Sequence, residues 1–387
     1  MLFQDSNSPN PSYPKRGTPP LSLRGGREGL LLALIFLAII LWHDKAIAPI
    51  SLSNIPNLPE PPKTTTLIAV GDIMLSRNVG TKIEEAKNPD LPFLNLQDFL
   101  KNADITFGNL ECPLSDSQIP LREGLVFRCL TRHFDGVINA GFDVLSTANN
   151  HSFDQGQDNI DFTIDYLKSH DILPVGTGHD LTEAHNGVVF PPLEGEGEGG
   201  VKFSFLSYSY TAFNDGGKST HPQIATMNIE QVQKDVAELK NKSDVIIVNM
   251  HAGTEYTRHP NQQQIDFAHT AIDAGADVVI GHHPHWIQDI EVYSPLELFP
   301  PLEGEGKGGA KEPRKGLIFY SLGNFVFDQM WSQETREGLM VKLEFSGPEL
   351  KSYELIPIII DNYCCPRLAN EAEKNKILDT LNLTKNN

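Results

Sequence analysis

"VVIGHHPHWIQ", Val278 to Gln288, runs from apolar residues straight into three histidines within four positions. A short β-branched run closed by glycine reads as a buried strand, which sets the histidines just past its C-terminal end. Protonated imidazoles packed this densely would repel one another. They are therefore either neutral metal ligands or a pH-sensitive surface patch. The choice depends on what else the chain brings to the same place.

Six other stretches end in the same way: "TLIAVGD" from Thr66, "DITFGN" from Asp104, "DVLSTANN" from Asp143, "VKFSFLSY" from Val201, "DVIIVNMH" from Asp244 and "GLIFYSLGN" from Gly316. Amphipathic, helix-like stretches lie between several of them, such as "NIDFTIDYLKSH" from Asn159, "NIEQVQKDVAELKNK" from Asn228 and "NQQQIDFAHTAIDAG" from Asn261. Strands alternating with helices predict an α/β layered fold. Reactive residues in such folds collect beyond the C-terminal ends of the strands. Here the first two such ends carry Asp72 in "VGDIMLSR", and Asn109 and Glu111 in "FGNLECPLS". The others carry Asn149, Asn150, His151 and Asp154 in "TANNHSFDQG", His251 and Glu255 in "VNMHAGTEY", and His282, His283 and His285 in "GHHPH".

Taken singly, each motif has a bland explanation. An Asp or an Asn pair after a strand is an ordinary cap or turn former, and a lone His there is more often structural than ligating. Their conjunction favours a ligand set. Five of the 13 histidines fall in these motifs, and imidazole, carboxylate and amide oxygen together suit zinc, manganese or iron. Neutral imidazoles around a dication also remove the repulsion. On an extended segment, the H-x-H spacing points His283 and His285 the same way and turns His282 toward the core.

Composition narrows the partners. The chain has 387 residues, 40% of them hydrophobic, with 50 acidic against 31 basic side chains and a formal net charge of −19. No basic stripe follows residue 27, which argues against nucleic acid. An acidic surface also repels anionic substrates unless a metal or local basic residues reverse the field. The four cysteines, Cys112, Cys129, Cys364 and Cys365, form no CxxC, so a thiolate zinc site is not expected. An adjacent pair such as Cys364 and Cys365 would strain a mutual disulfide, whereas a Cys112–Cys129 bridge is open to an exported chain.

Residues 1–28 read as a disordered cytoplasmic tail. Residues 29–48 read as a membrane anchor or signal segment: "LLLALIFLAIILW", Leu30 to Trp42, follows Lys15, Arg16, Arg24 and Arg27. The basic flank predicts a cytoplasmic N-terminus and an extracytoplasmic domain. "AIA" at Ala46–Ala48 has the small-x-small form of a cleavage site, but Pro49 hinders cleavage, which favours an uncleaved single-pass anchor in the cell membrane. A Pro-rich linker over 49–65, a folded domain over 66–362 and a C-terminal tail over 363–387 complete the expected layout. "FPPLEGEGEGG" from Phe190 recurs as "FPPLEGEGKGG" from Phe299. Such composition cannot build a core, so low-complexity inserts at 190–200 and 299–309 are expected at two hairpin tips, where added length costs little.

In order, "AVGDIMLSR", "GNLECPLS", "ANNHSFDQG", "GHHPHWIQ" and "IFYSLGNFVFDQ" make the segment from about Thr66 to Ile360 resemble the CapA family of capsule (poly-γ-glutamate) synthesis proteins. More distantly, the order Asp, acidic residue, Asn-His, His, His-x-His is similar to the calcineurin-like metallophosphoesterases. That resemblance implies a four-layer α/β/β/α sandwich of metallophosphoesterase type with one or two divalent ions (Mn, Zn or Fe). It further implies Asp72 as a ligand of the first metal, Glu111 as bridging carboxylate, Asn150, His251 and His283 around the second, and His285 returning to the first. His151 would be the catalytic proton donor, and Arg77, Asn109 and Asn324 are expected at the substrate. Two departures stand out: Met74 replaces the usual His of Asp-x-His, and the longer Glu111 replaces the usual bridging Asp. The family resemblance implies membrane-bound synthesis machinery and an anionic polymer such as poly-γ-glutamate as partners, in polymer synthesis, export or attachment. The alternatives are a metal-dependent phosphoesterase and a non-catalytic binding subunit of a membrane complex.

Overall fold

In strand β7 (Val245–His251), Val245 and Ile247 enter one hydrophobic core while Ile246, Val248 and Met250 enter another. This is the two-residue period of a strand covered on both faces, and it assigns the layers. The computed structural model describes residues 64–117, 126–191, 200–211, 220–295 and 315–385. The N-terminal tail, the apolar run, the linker up to residue 63 and the repeat from Phe299 lie outside these residues, as do positions 192–199 of the first copy. Among the described residues no helix is long and apolar enough to cross a membrane.

One sheet contains β1 (Thr64–Ile73), β2 (Ile105–Leu110), β3 (Val144–Ser146), β4 (Leu173–Val175), β12 (Glu337–Ser346), β13 (Glu349–Asp361) and β14 (Cys365–Leu368). Its order is β14-β13-β12-β1-β2-β3-β4, and β11 (Asn324–Val326) pairs with the end of β1. The second sheet contains β5 (Val188–Phe190), β6 (Phe203–Ser209), β7, β8 (Val278–His282), β9 (Ile290–Tyr293), β10 (Gly316–Phe319) and β15 (Leu383–Lys385), in the order β15-β9-β10-β8-β7-β6-β5. The sheets meet face to face: the Phe107 ring of β2 stacks on Phe205 of β6 with centroids 5.5 Å apart. Leu67 and Ala69 join Ile247, Ile280 and Phe319 in the same inner core.

Helices close the outer faces. Val79 of α1 (Arg77–Ala86), Leu100 of α2 (Gln97–Lys101), Phe134 of α3 (Thr131–Ala140) and Leu167 of α4 (Gln157–Lys168) pack outside the first sheet. Ala184 of α5 (Leu181–Asn186), Val232 and Val236 of α6 (Ile229–Leu239), and Phe267 and Ala271 of α7 (Gln262–Ala274) pack outside the second. The four-residue spacing of those apolar pairs puts each on one helix face. Asn228 caps α6 and Asn261 caps α7, their side chains accepting from the Gln231 and Gln264 backbone N–H groups. The architecture is thus the expected α/β/β/α sandwich, with every expected strand present.

Two features depart from the sequence reading. Beyond residue 362 the chain is not a tail: β14 extends the first sheet, α8 (Glu371–Asp379) inserts Ile377 into the inner core, and β15 pairs in parallel with β9. These elements are too short to show a period. Cys364 and Cys365, expected apart, form a disulfide. It sits in the β13–β14 turn, where Asn362 (φ 51°) and Tyr363 (φ 64°) reverse the chain in left-handed conformations. Cys112 and Cys129 form a second disulfide. The inserts separate strands that pair antiparallel, β5 with β6 and β9 with β10.

Candidate metal centre

Strands β1, β2 and β3 run parallel, as do β6, β7, β8 and β10, so their C-terminal ends gather. Glycine permits the closest approaches. A Cβ on Gly71 would collide with the Gly323 carbonyl, and one on Gly281 with the Tyr320 carbonyl. Asp72 thereby lies in register with Asn109 on one side and Asn324 on the other, and His251 lies beside His282.

The GHHPH segment is not extended as the sequence suggested. Strand β8 stops at His282, and His283 (φ 97°) and His285 (φ 57°) adopt left-handed backbone. Each such conformation at a non-glycine residue costs about 1–3 kcal/mol and persists only where the surroundings over-determine it. With it, the His285 ring sits beside Asp72 and Glu111, and the His283 ring beside His251. His282 stays inside, with Nδ1 2.6 Å from Asn249 Oδ1 and Nε2 3.0 Å from the Val70 carbonyl. Its Nε2 bridges to β1 of the other sheet, while its Nδ1 is held within its own sheet by Asn249 of β7.

Asp72, Glu111 and His285 each offer a donor atom within 4.8 Å of the others. Glu111 Oε1 is 3.8 Å from His285 Nε2, 3.9 Å from His151 Nε2 and 4.0 Å from His251 Nε2. Asn150 Oδ1 is 2.8 Å from His251 Nε2, and the His283 ring centroid is 4.9 Å from that of His251. The six candidate ligands and His151 therefore surround one small volume. Asn109 and Asn324 do not line the cleft; they lie buried beneath it. Asn109 Nδ2 donates to Asp72 Oδ1 (2.8 Å), and Asn324 Oδ1 meets His285 Nδ1 (2.9 Å). Arg77 does reach the cleft, paired with Asp328 and with its guanidinium 4.8 Å over the Phe127 ring.

The electrostatics fit a cation. Burial, then the Asp72 and Glu255 charges, push the Glu111 pKa well above the ordinary carboxylate range. Both Glu111 oxygens are buried without a hydrogen-bond partner. Burial opposes ionisation of Asp72 as well, but the His285 hydrogen bond and the His282 and His285 charges outweigh it and leave its pKa low. Burial, followed by the other imidazoles, drives the His251 pKa well below its usual value, and burial with His285 drives that of His283 to about 3. The rings are thus held neutral, the form that ligates metal. An orphaned carboxylate beside neutral imidazoles is a donor set that suits a divalent ion.

His151 stands apart from this set in its fixing. Its Nδ1 is 2.7 Å from Asp154 Oδ2, and the Phe127 ring stacks on it at 3.8 Å and 20°. The Phe127 N–H donates to the same Asp154 oxygen at 2.6 Å. Sequence reasoning missed Phe127, Asn249, Tyr256, Gln329 and Trp331. Single aromatic and amide residues on loops carry no period or spacing that would have marked them.

The sequence profile of the family described as "Bacterial capsule synthesis protein PGA_cap" matches residues 66–329. The chain is similar to "Capsule biosynthesis protein CapA" of Bacillus anthracis, 28% identical over 358 residues, covering 90% of this chain and 78% of that one. It is also similar to "PGA biosynthesis protein CapA" of Bacillus subtilis (strain 168), 28% identical over 317 residues, covering 80% of this chain and 75% of that one. Among solved structures, a hypothetical protein from Thermus thermophilus overlaps 76% of this chain and 98% of its own, at 14% identity and a TM-score of 0.45. With two thirds of its length matched by one profile and its strand-end motifs inside that match, the chain belongs to the PGA_cap family of bacterial capsule synthesis proteins.

Proposed function

We propose that the protein acts at the outer face of the cell membrane in synthesis, export or attachment of an anionic, poly-γ-glutamate-like polymer, through a metal-dependent, hydrolase-like site. The observation that carries the site is Glu111, a fully buried carboxylate whose oxygens have no hydrogen-bond partner and which lies among three imidazoles and Asp72. Once ionised, a carboxylate buried in this way demands a counter-charge. Asp72, Glu111 and His285 would hold one ion, and Asn150, His251 and His283 a second one beside Glu111. When bound, the metal would supply Lewis-acid polarisation of a substrate carbonyl or phosphoryl oxygen. His151, oriented by Asp154 and Phe127, presents Nε2 to the cleft and, once that nitrogen is protonated, would hand the proton to the leaving group. The polymer class is drawn from family membership and from the printed names of the relatives. The membrane position is drawn from the apolar run at Leu30–Trp42, with membrane-bound synthesis machinery as the expected neighbour.

Elemental analysis of the full chain and of Glu111→Gln, combined with an assay of poly-γ-glutamate cleavage with and without chelator, tests this. The wild type should carry Mn, Zn or Fe and the variant little. A metal-free wild type whose stability ignores chelators would sink the metal site and leave a non-catalytic binding subunit. The Asp154–His151 pair also suits a phosphoester leaving group, which gives a second reading as a metal-dependent phosphoesterase. Chelator-sensitive turnover of bis(para-nitrophenyl) phosphate, lost in His151→Ala, would select it.

A further inference from the structure

Above the candidate metal ligands opens a cavity of about 400 Å³ with His151 and His285 in its lining. Its charges are lopsided. Among the described residues Arg77 is the one Lys or Arg in its lining, and it is already paired with Asp328 and stacked over Phe127. Glu255 lines the same cavity, is exposed, and forms no ion pair among the described residues. A carboxylate without a cationic partner at the entrance repels the side carboxylates of a polyanion and attracts a cation.

Beside Glu255 stand two aromatic rings. Tyr256 and Trp331 meet edge to face with centroids 4.7 Å apart at 83°, and Trp331 is 61% exposed, the most exposed large apolar side chain described. Tyr256 is not loosely placed. Its hydroxyl accepts from Gln329 Nε2 (3.2 Å), Gln329 Oε1 accepts from Asn324 Nδ2 (3.2 Å), and Asn324 Oδ1 meets His285 Nδ1 (2.9 Å). The Tyr256 ring itself lies 6.0 Å from that of His285. The aromatic corner is therefore coupled by side-chain hydrogen bonds to a candidate metal ligand. Two aromatic faces beside a carboxylate that lacks a cation are the chemistry that recognises an organic ammonium, by cation–π attraction and ion pairing together.

We propose that Glu255, Tyr256 and Trp331 form a subsite for a primary ammonium group, seating the amino end of the substrate chain while the bond to be acted on lies over His285 and His151. This rests on the reading of the cleft as a site for a γ-linked glutamate chain. It makes the site end-directed: it recognises the single amino terminus of such a polymer and not its many interior carboxylates.

Calorimetric titration of the full chain with γ-glutamylglutamate and with its N-acetyl derivative tests the subsite. The free-amine form should bind roughly tenfold more tightly, equivalent to about 1.4 kcal/mol. The preference should vanish in Trp331→Ala and in Glu255→Gln, both exposed positions where the fold tolerates change. Equal affinity for the two forms, no binding of either, or a preference that survives both substitutions would overturn the proposal. Metal content measured on the same samples, and the titration repeated after chelation, separate its failure from that of the metal site.

Discussion

At the scale of single residues, the decisive property of this site is that burial has set its protonation before any ion arrives. His251 and His283 are held neutral by burial, His283 down to a pKa of about 3, so their protonation does not limit metal uptake near neutral pH. Glu111 does. Its raised pKa means that the buried acid must lose a proton to serve as a ligand. Affinity should therefore rise as pH rises through the Glu111 pKa, and uptake should release a proton. Titrations in buffers of different ionisation enthalpy will count it, and a value of zero would exclude this coupling. Asn324 acts one step further out by holding His285 Nδ1, which leaves Nε2 to face Glu111. Asn324→Ala should weaken metal binding about 10- to 100-fold, as loss of an orienting partner usually does; competition with a chelator measures this.

At the scale of elements, the glycine-terminated strands and their polar ends were legible because a β-branched run followed by Asp, Asn or His is a strong local signal. What the sequence hid was long-range. The left-handed backbone at His283 and His285 sits in a segment held by distant partners, the Ala252 and Tyr256 N–H groups donating to the His282 and Pro284 carbonyls, whereas histidine spacing alone suggested an extended segment. The elements after residue 362 were hidden for a different reason: strands of four and three residues are below the length at which alternation can be seen. Their contribution is nonetheless structural. Ile377 of α8 is 1% exposed in the core between the sheets, so Ile377→Ala should cost about 2–5 kcal/mol. Urea unfolding should record that loss while metal content is unchanged. A shift below about 1 kcal/mol would return this segment to the status of a tail, since buried large-to-small changes rarely cost so little.

At the scale of the whole molecule, the basic flank before Leu30 predicts a cytoplasmic N-terminus and a domain outside. Protease added to spheroplasts should digest the domain; protection with the membrane intact would reverse the orientation. The same experiment gains from the hairpins β5–β6 and β9–β10. Both join antiparallel neighbours where β6 and β10 begin, whereas the cleft lies where those strands end. The Pro-Gly-Glu inserts thus depart from the pole opposite the chemistry. Both connections already carry Pro-, Gly- and Glu-rich sequence unsuited to a core, which makes them ready-made ports for an epitope or fluorescent reporter. A tag placed there could report sidedness, abundance and neighbours in living cells while the cleft is left unencumbered.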